Sequence, residues 1–142
     1  MSIARAAAGS PLGVAGGTSP YVPGVCNIGP AEIGRRRRFG HLALAITVLI
    51  YVGFVAFHVP PLARFLLALP AAGAATGYLQ AALHFCAGFG SRGLFNFGEL
   101  GAEVQVTDPE ALARDRARSR QIALLSLAVG LAVGLVAVLL PL

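Results

Sequence analysis

The stretch that most constrains this chain is residues 60–85, PPLARFLLALPAAGAATGYLQAALHF. It is long and apolar enough to cross a bilayer, which takes about 20 residues in a helix. Its small and polar residues recur at steps of three or four, so in a helix they share one stripe: Pro70, Gly73, Gly77, Gln80 and His84. Such a stripe lets two helix backbones approach closely and form hydrogen bonds across the contact. The segment is therefore predicted to be the central helix of a packed membrane bundle.

Two further apolar stretches lie on either side of the central one, at residues 39–57 and 121–140. The connection at residues 58–61 is very short, so the first and the central helix are predicted to be antiparallel neighbours. The composition agrees, because 56% of the residues are hydrophobic and 12% are charged, whereas soluble domains carry about 25% charged residues. The predicted fold is an all-α integral membrane protein with three transmembrane helices, two of which form a helical hairpin.

Small residues predict how these helices pack. Gly130 and Gly134 form a G-x-x-x-G pair in the third helix, as Gly73 and Gly77 do in the central one, and the two faces are predicted to pack against each other. Leu67 lies off the central stripe, so its truncation is expected to be mild. The predicted helix-packing residues are Gly73, Gly77, Gln80, Ser126, Gly130 and Gly134.

The arginines predict the orientation, because positive charge beside membrane helices favours the cytoplasm. They cluster before the first helix and before the third, whereas Arg64 lies at the opposite end, where it is expected to snorkel to the interface. The N-terminus is therefore predicted to be cytoplasmic and the C-terminus exoplasmic, as in an inner membrane. The arginines expected to contact anionic lipid headgroups, or simply to form a solvated face, are Arg35, Arg36, Arg37, Arg38, Arg114 and Arg118.

The N-terminal segments are predicted to be a flexible tail over residues 1–24 and a cytoplasmic juxtamembrane segment over residues 25–38. A short helix is expected to begin at Pro30 and to end near Gly34. Neither this segment, VCNIGPAEIGRRRR, nor the later HFCAGFGSRGLFNFG matches a catalytic or nucleotide-binding pattern.

Residues 86–107 are predicted to form a cytoplasmic loop rich in Gly and Phe. Alternation of apolar and polar residues favours a short β-hairpin there, with strands at 94–97 and 103–106. Residues 108–120 are predicted to be an amphipathic juxtamembrane helix that continues into the third span, with Thr107 and Glu110 forming a capping box.

Several function classes are disfavoured by the residues that lie at membrane depth. No Asp, Glu, Lys or Arg stands in the middle of any span, whereas proton relays and ion-coupled transporters usually need one. No nucleophile is spaced with a base and an orienting acid, so the chain is not predicted to be an enzyme. The net charge of +5 lies beside apolar segments rather than on a soluble domain, which argues against nucleic-acid binding.

A metal or tetrapyrrole site at the cytoplasmic membrane edge is the alternative function. Two His and two Cys suit tetrahedral zinc, and a lone His can bind a haem metal; the candidate ligands are Cys26, His41, His84 and Cys86. Their spacing matches no metal motif, so the histidines are interpreted as headgroup-level residues and the cysteines as small apolar fillers. No cofactor is therefore predicted.

The leading hypothesis is a small structural or assembly subunit of a larger bacterial-type membrane complex, energy-transducing complexes included. It would associate with other membrane subunits or with itself through its Gly and Ala faces. Phe89, Phe95 and Phe97 are expected either to bind a partner or to form a lid buried against the bundle. A third hypothesis is a channel formed by self-assembly, but the sequence shows no polar stripe that would line its pore.

Overall fold

The structure, a computed structural model, describes residues 20–141. It is mostly helical, and three helices are long and apolar enough to cross a membrane: Pro30–Ala56, Pro61–Leu83 and Pro109–Leu139. A small two-stranded sheet accompanies them. The prediction of three such helices is confirmed, whereas most of the predicted tail at residues 1–24 lies outside the described residues.

The first helix, α1, runs without interruption over Pro30–Ala56. Pro30 occupies its first turn, where a missing N–H is harmless. The prediction that a short helix would end near Gly34 is wrong, because the helix continues through this glycine into the apolar stretch. Glu32 forms ion pairs with Arg35 and Arg36, one turn further along. These pairs stabilise the helix across Gly34, because a glycine inside a helix lowers its stability by about 1 kcal/mol relative to alanine.

The central rod consists of a 3-10 helix, Pro61–Leu67, followed by α2, Ala68–Leu83. Pro70 has no N–H to offer the carbonyl of Leu66, and the tighter 3-10 segment lies just before it. The rod ends at His84, which adopts a left-handed conformation with φ 54°. This reversal turns the chain out of the bundle.

A compact connection follows the rod. It contains α3, Ala87–Arg92, and two antiparallel strands, β1 at Leu94–Phe95 and β2 at Val104–Gln105. The predicted hairpin is confirmed, although its strands are shorter than expected. The first strand ends before Asn96, because the backbone of that residue pairs with the segment at Asn27–Gly29 instead of with β2.

The last helix, α4, extends over Pro109–Leu139 and thus joins the predicted juxtamembrane segment to the predicted third span. Asp108 caps it, since its carboxylate accepts a hydrogen bond from the Ala111 N–H at 3.2 Å. The predicted cap at Thr107 is therefore wrong by one residue. Its buried residues recur every three or four positions along one face: Ala111, Asp115, Ser119, Ile122, Ser126, Gly130, Gly134 and Ala137.

The glycine face of α2 and the glycine face of α4 do not contact each other. A Cβ atom added at Gly77 would lie 2.6 Å from the Gly40 nitrogen of α1, and one added at Gly130 would lie 2.5 Å from the Ala68 carbonyl oxygen. Gly77 therefore faces α1, and Gly130 faces the other side of the rod. The prediction that the two faces pack against each other is wrong, because each packs on a different neighbour.

Two residues near the start of the rod are more buried than expected. Leu67 is 1% exposed, so the expectation that its truncation would be mild is wrong. Arg64 is 5% exposed and does not snorkel outward. Its Nε donates to the Val59 carbonyl at 3.0 Å and its guanidinium to the Leu140 carbonyl at 3.1 Å. It therefore ties the hairpin link to the end of α4.

Candidate functional site at the polar end of the bundle

Residues 20–29 and 84–108 pack together at the arginine-rich end of the helices, and we call this unit the cap. Asn27 joins its two halves, because its side-chain amide bonds both backbone groups of Cys86. The Asn96 N–H donates to the Asn27 carbonyl at 2.9 Å, and the Gly29 N–H donates to the Asn96 carbonyl at 2.8 Å. The two sequence stretches that match no known pattern therefore bind each other.

Gly29 explains how closely these stretches approach. A Cβ atom at this position would lie 2.9 Å from the Phe97 Cα. The backbone of residues 28–29 can reach the backbone of residues 96–97 only because no side chain intervenes.

A buried ion pair lies beneath this contact. Glu32 is fully buried, its Oε2 lies 3.4 Å from the Arg36 guanidinium, and its Oε1 lies 3.5 Å from the Asn96 Nδ2. Arg36 also donates to the Cys86 sulfur at 2.9 Å and lies over the Phe89 ring. A buried carboxylate needs such partners to offset its lost hydration. Glu32 and Arg36 therefore hold α1 to the cap.

A second buried carboxylate holds the beginning of the cap against α4. The Tyr21 hydroxyl and the Gly24 N–H each donate to Asp115 at 2.7 Å. Burial raises the pKa of Asp115 above its ordinary value, and these two hydrogen bonds oppose that rise. Burial and the neighbouring Asp115 also raise the pKa of Tyr21 far above its ordinary range. The tyrosine is thus held as a hydrogen-bond donor.

The three loop phenylalanines lie within the chain rather than on a free surface. Phe89 is 3% exposed and Phe95 is 6% exposed, while Phe97 is partly buried. The Phe95 ring stacks on Tyr21, with ring centroids 4.5 Å apart. The expectation that these residues form a partner-binding surface is therefore corrected in favour of the buried lid.

Three of the four candidate metal ligands have another role. His41 shares a 2.7 Å hydrogen bond with the Tyr78 hydroxyl, and the Cys26 thiol donates to the Pro20 carbonyl. Cys86 caps α3 through its sulfur, and His84 is exposed at the end of α2. Within residues 20–141, no three His, Cys, Asp or Glu side chains are grouped as metal ligands would be. The four candidate ligands therefore do not form a tetrahedral metal site in this part of the chain. Binding of a tetrapyrrole by a single histidine stays a prediction.

The arginines expected to contact lipid divide into engaged and free ones. Arg36 is turned inward, Arg35 pairs with Glu32 and Arg114 pairs with Glu110. Arg118 donates to the Gln121 side chain at 2.7 Å. Arg37 and Arg38 are exposed.

Sequence reasoning missed the residues that build the cap, namely Asn27, Glu32, Asn96 and Asp115. Asp115 had a detectable signal, because it lies one turn from Ala111 and from Ser119 on the buried face of α4. Asn27 had none, since its partners lie more than 50 residues away in the chain. Asn96 bonds to Gly98 and Glu99 nearby as well as to the distant Asn27.

An apolar groove opens between α1 and α4, at the depth of the apolar segments. These two helices both pack on the central rod and contact each other far less. The groove measures about 230 Å³, and its lining comes from α1, from Leu67 and from α4: Thr47, Val48, Tyr51, Leu67, Val133, Val136, Ala137 and Leu140.

Comparisons with known proteins give no significant match. No protein-family model matches the chain. No curated protein and no solved structure is significantly similar to it.

Proposed function

We propose that this chain is a small structural or assembly subunit of a larger membrane complex, energy-transducing complexes included. The observation that carries this proposal is the groove between α1 and α4. Its volume of about 230 Å³ is below the roughly 300–1,000 Å³ of ordinary ligand pockets. It matches a few apolar side chains better than a cofactor, and we assign it to an apolar helix of a partner subunit.

The shape of the bundle supports this assignment. Thr47 and Ala137 are small and lie on opposite sides of the groove. Small residues allow another helix to approach closely in lipid, where packing is the main force of association. Only 17% of the residues in the apolar window of α1 are buried within the chain, so most of this helix remains free for lipid or a partner.

The cap supports a structural role rather than a catalytic one. Its two buried carboxylates, Glu32 and Asp115, are both engaged by donors that hold the cap together. A subunit of this kind needs a rigid end that fixes the angles between its helices. The cap supplies that rigidity because it binds α1, the end of α2 and α4 at once.

The assignment of the groove to a partner helix can be tested by placing a larger side chain in the groove. Val48 lines the groove, whereas its neighbour Leu49 is 70% exposed and does not. We expect mild extraction from the native membrane to give a species several times heavier than the 14.5 kDa chain with its detergent. Val48→Trp should abolish this species, and Leu49→Trp should retain it.

Two outcomes of this experiment contradict the proposal. One is a wild-type chain that runs as a monomer after the mildest extraction. The other is an equal effect of the two tryptophans on the heavier species, since only one of them fills the groove.

The proposed orientation has the cap in the cytoplasm and the C-terminus outside. The arginines before α1's apolar stretch and before residue 121 gather at the cap end, and such charge favours the cytoplasm. Ser91 is exposed at the cap, and His58 is exposed at the opposite end. In a Cys26→Ser background, an impermeant maleimide should label His58→Cys in intact cells and leave Ser91→Cys unlabelled. The reverse labelling would refute the orientation.

A further inference from the structure

A cleft of about 600 Å³ lies between α3 and α4, on the outer side of the cap. We propose that this cleft binds a phosphate group, carried either by the headgroup of an anionic lipid or by a free phosphate. Arg116 and Arg120 line it from α4, and Gly88 and Ser91 line it from α3. The inference does not depend on the subunit role proposed above.

The charge of the cleft is uncompensated. Arg116 and Arg120 are one turn apart, so their side chains extend from the same face of α4. Neither forms an ion pair or a side-chain hydrogen bond within residues 20–141, whereas Arg114 is paired with Glu110 and Arg118 with Gln121. Two free guanidinium groups can each donate two hydrogen bonds to one phosphate.

The position of the cleft along α4 matches the headgroup level of a membrane. Arg120 directly precedes the apolar segment that begins at residue 121, and Ala123 lines the apolar side of the cleft. Arginines at such a boundary extend toward the phosphates of the bilayer. A lipid bound here would have its acyl chains beside the exposed apolar surface of α4.

The floor of the cleft leaves room for the ligand. A Cβ atom added at Gly88 would meet only the Cys86 sulfur, at 3.7 Å, so the space above this glycine is open. The hydroxyls of Ser91 and Ser119 both donate to backbone carbonyls. They form polar walls, and the two arginines supply the donors for the phosphate.

The test compares three variants of the full-length protein. Arg116→Gln/Arg120→Gln removes both charges of the cleft, and Gly88→Leu fills the cleft while it keeps them. Arg37→Gln/Arg38→Gln removes the same charge from two exposed arginines outside the cleft, so it measures the part of lipid binding that is due to surface charge alone. Native mass spectrometry measures retained phosphatidylglycerol, with phosphatidylcholine for comparison, and the melting temperature is measured with and without inorganic phosphate.

We expect the double cleft variant to bind phosphatidylglycerol about 30-fold more weakly than wild type, because each arginine near the surface strengthens binding by a factor of about five. Gly88→Leu should also lose the lipid, and Arg37→Gln/Arg38→Gln should weaken its binding far less than the double cleft variant does. Loss of phosphatidylglycerol in both cleft variants assigns the site to lipid. Phosphate-dependent stabilisation that both cleft variants lose, without lipid retention, assigns it to a soluble phosphate. Equal binding of both probes by all four proteins overturns the proposal.

Discussion

Asn27 and Cys86 are joined by a pair of hydrogen bonds that resembles a rung of a β-ladder. The Asn27 Oδ1 accepts from the Cys86 N–H at 2.7 Å, and its Nδ2 donates to the Cys86 carbonyl at 3.1 Å. Both residues are buried. One side chain therefore satisfies both backbone groups of a residue 59 positions away, at the point where the chain leaves α2.

Replacement of this amide should open the cap. Asn27→Asp keeps an acceptor for the Cys86 N–H but loses the donor and sets a carboxylate oxygen against the Cys86 carbonyl. Because buried polar groups without partners cost about 1–3 kcal/mol each, we expect a clear fall in the melting temperature in detergent. Val25→Ala, at a residue that is 56% exposed, is the control. Identical melting of the two variants would show that the pair contributes nothing.

Replacing glycines of the bundle with alanine should change its stability in opposite directions, depending on the space around each glycine. Gly77→Ala and Gly130→Ala would each place a methyl group within 2.6 Å of backbone atoms, and such overpacking costs about 1–3 kcal/mol. Gly53 has no atom within 4 Å of its Cβ position, so Gly53→Ala should stabilise the helix by up to about 1 kcal/mol. Unfolding in detergent measures all three. A fall at Gly53 or a rise at Gly77 contradicts the packing described.

Arg64 should matter more than any exposed arginine. Arg64→Met removes the donors to the Val59 and Leu140 carbonyls, and hydrogen bonds from charged groups contribute about 1.5–3 kcal/mol. We expect the end of α4 to fray, seen as faster amide exchange near Leu140 and a lower melting temperature. Arg38→Met, at an exposed position, should change neither, and equal effects of the two substitutions would contradict the role assigned to Arg64.

The contact between Asp115 and Tyr21 should depend on pH. Burial raises the folded-state pKa of Asp115 above its ordinary value of 3.8. Folding therefore favours the neutral carboxyl. The stability that Asp115 contributes is complete below its ordinary pKa and declines as the pH rises through the raised pKa of the folded state. Protease cleavage near Val22 should accelerate over this range.

Asp115→Asn is the control for that pH dependence. The amide keeps an acceptor for the Gly24 N–H and does not titrate, so the cleavage rate of this variant should be flat over the same range. A wild-type rate that is equally flat, or that falls as the pH rises, contradicts the assignment to Asp115.

The apolar pattern predicted the helices because membrane spans are local features. Twenty apolar residues identify a span whatever packs beside it, and a very short link requires antiparallel neighbours. The alternation around residues 98–101 likewise predicted the hairpin. The pairing of the glycine faces was not local, and there the prediction failed. A small-residue face indicates a close contact but does not identify the helix on its other side.

The candidate site was harder to predict for the same reason. Glu32 and Asp115 were interpreted as residues outside the spans, and nothing in the sequence indicates that they are buried by partners such as Asn96 and Tyr21. The phenylalanines of the loop were consistent with a partner surface or with a lid. The burial of Phe89 and Phe95, with the stacking of Phe95 on Tyr21, decides for the lid.

The cap also imposes an order on biosynthesis. Asn27 leaves the ribosome 59 residues before Cys86, which is about 3–12 s at ordinary translation rates. Asp115, the partner of Tyr21, emerges later still. The first segment of the cap must therefore wait, with its polar groups hydrated, until the helical hairpin has been made. The cap can therefore close only after the polar ends of all three helices have been translated. A chain that stalls after the helical hairpin cannot close it.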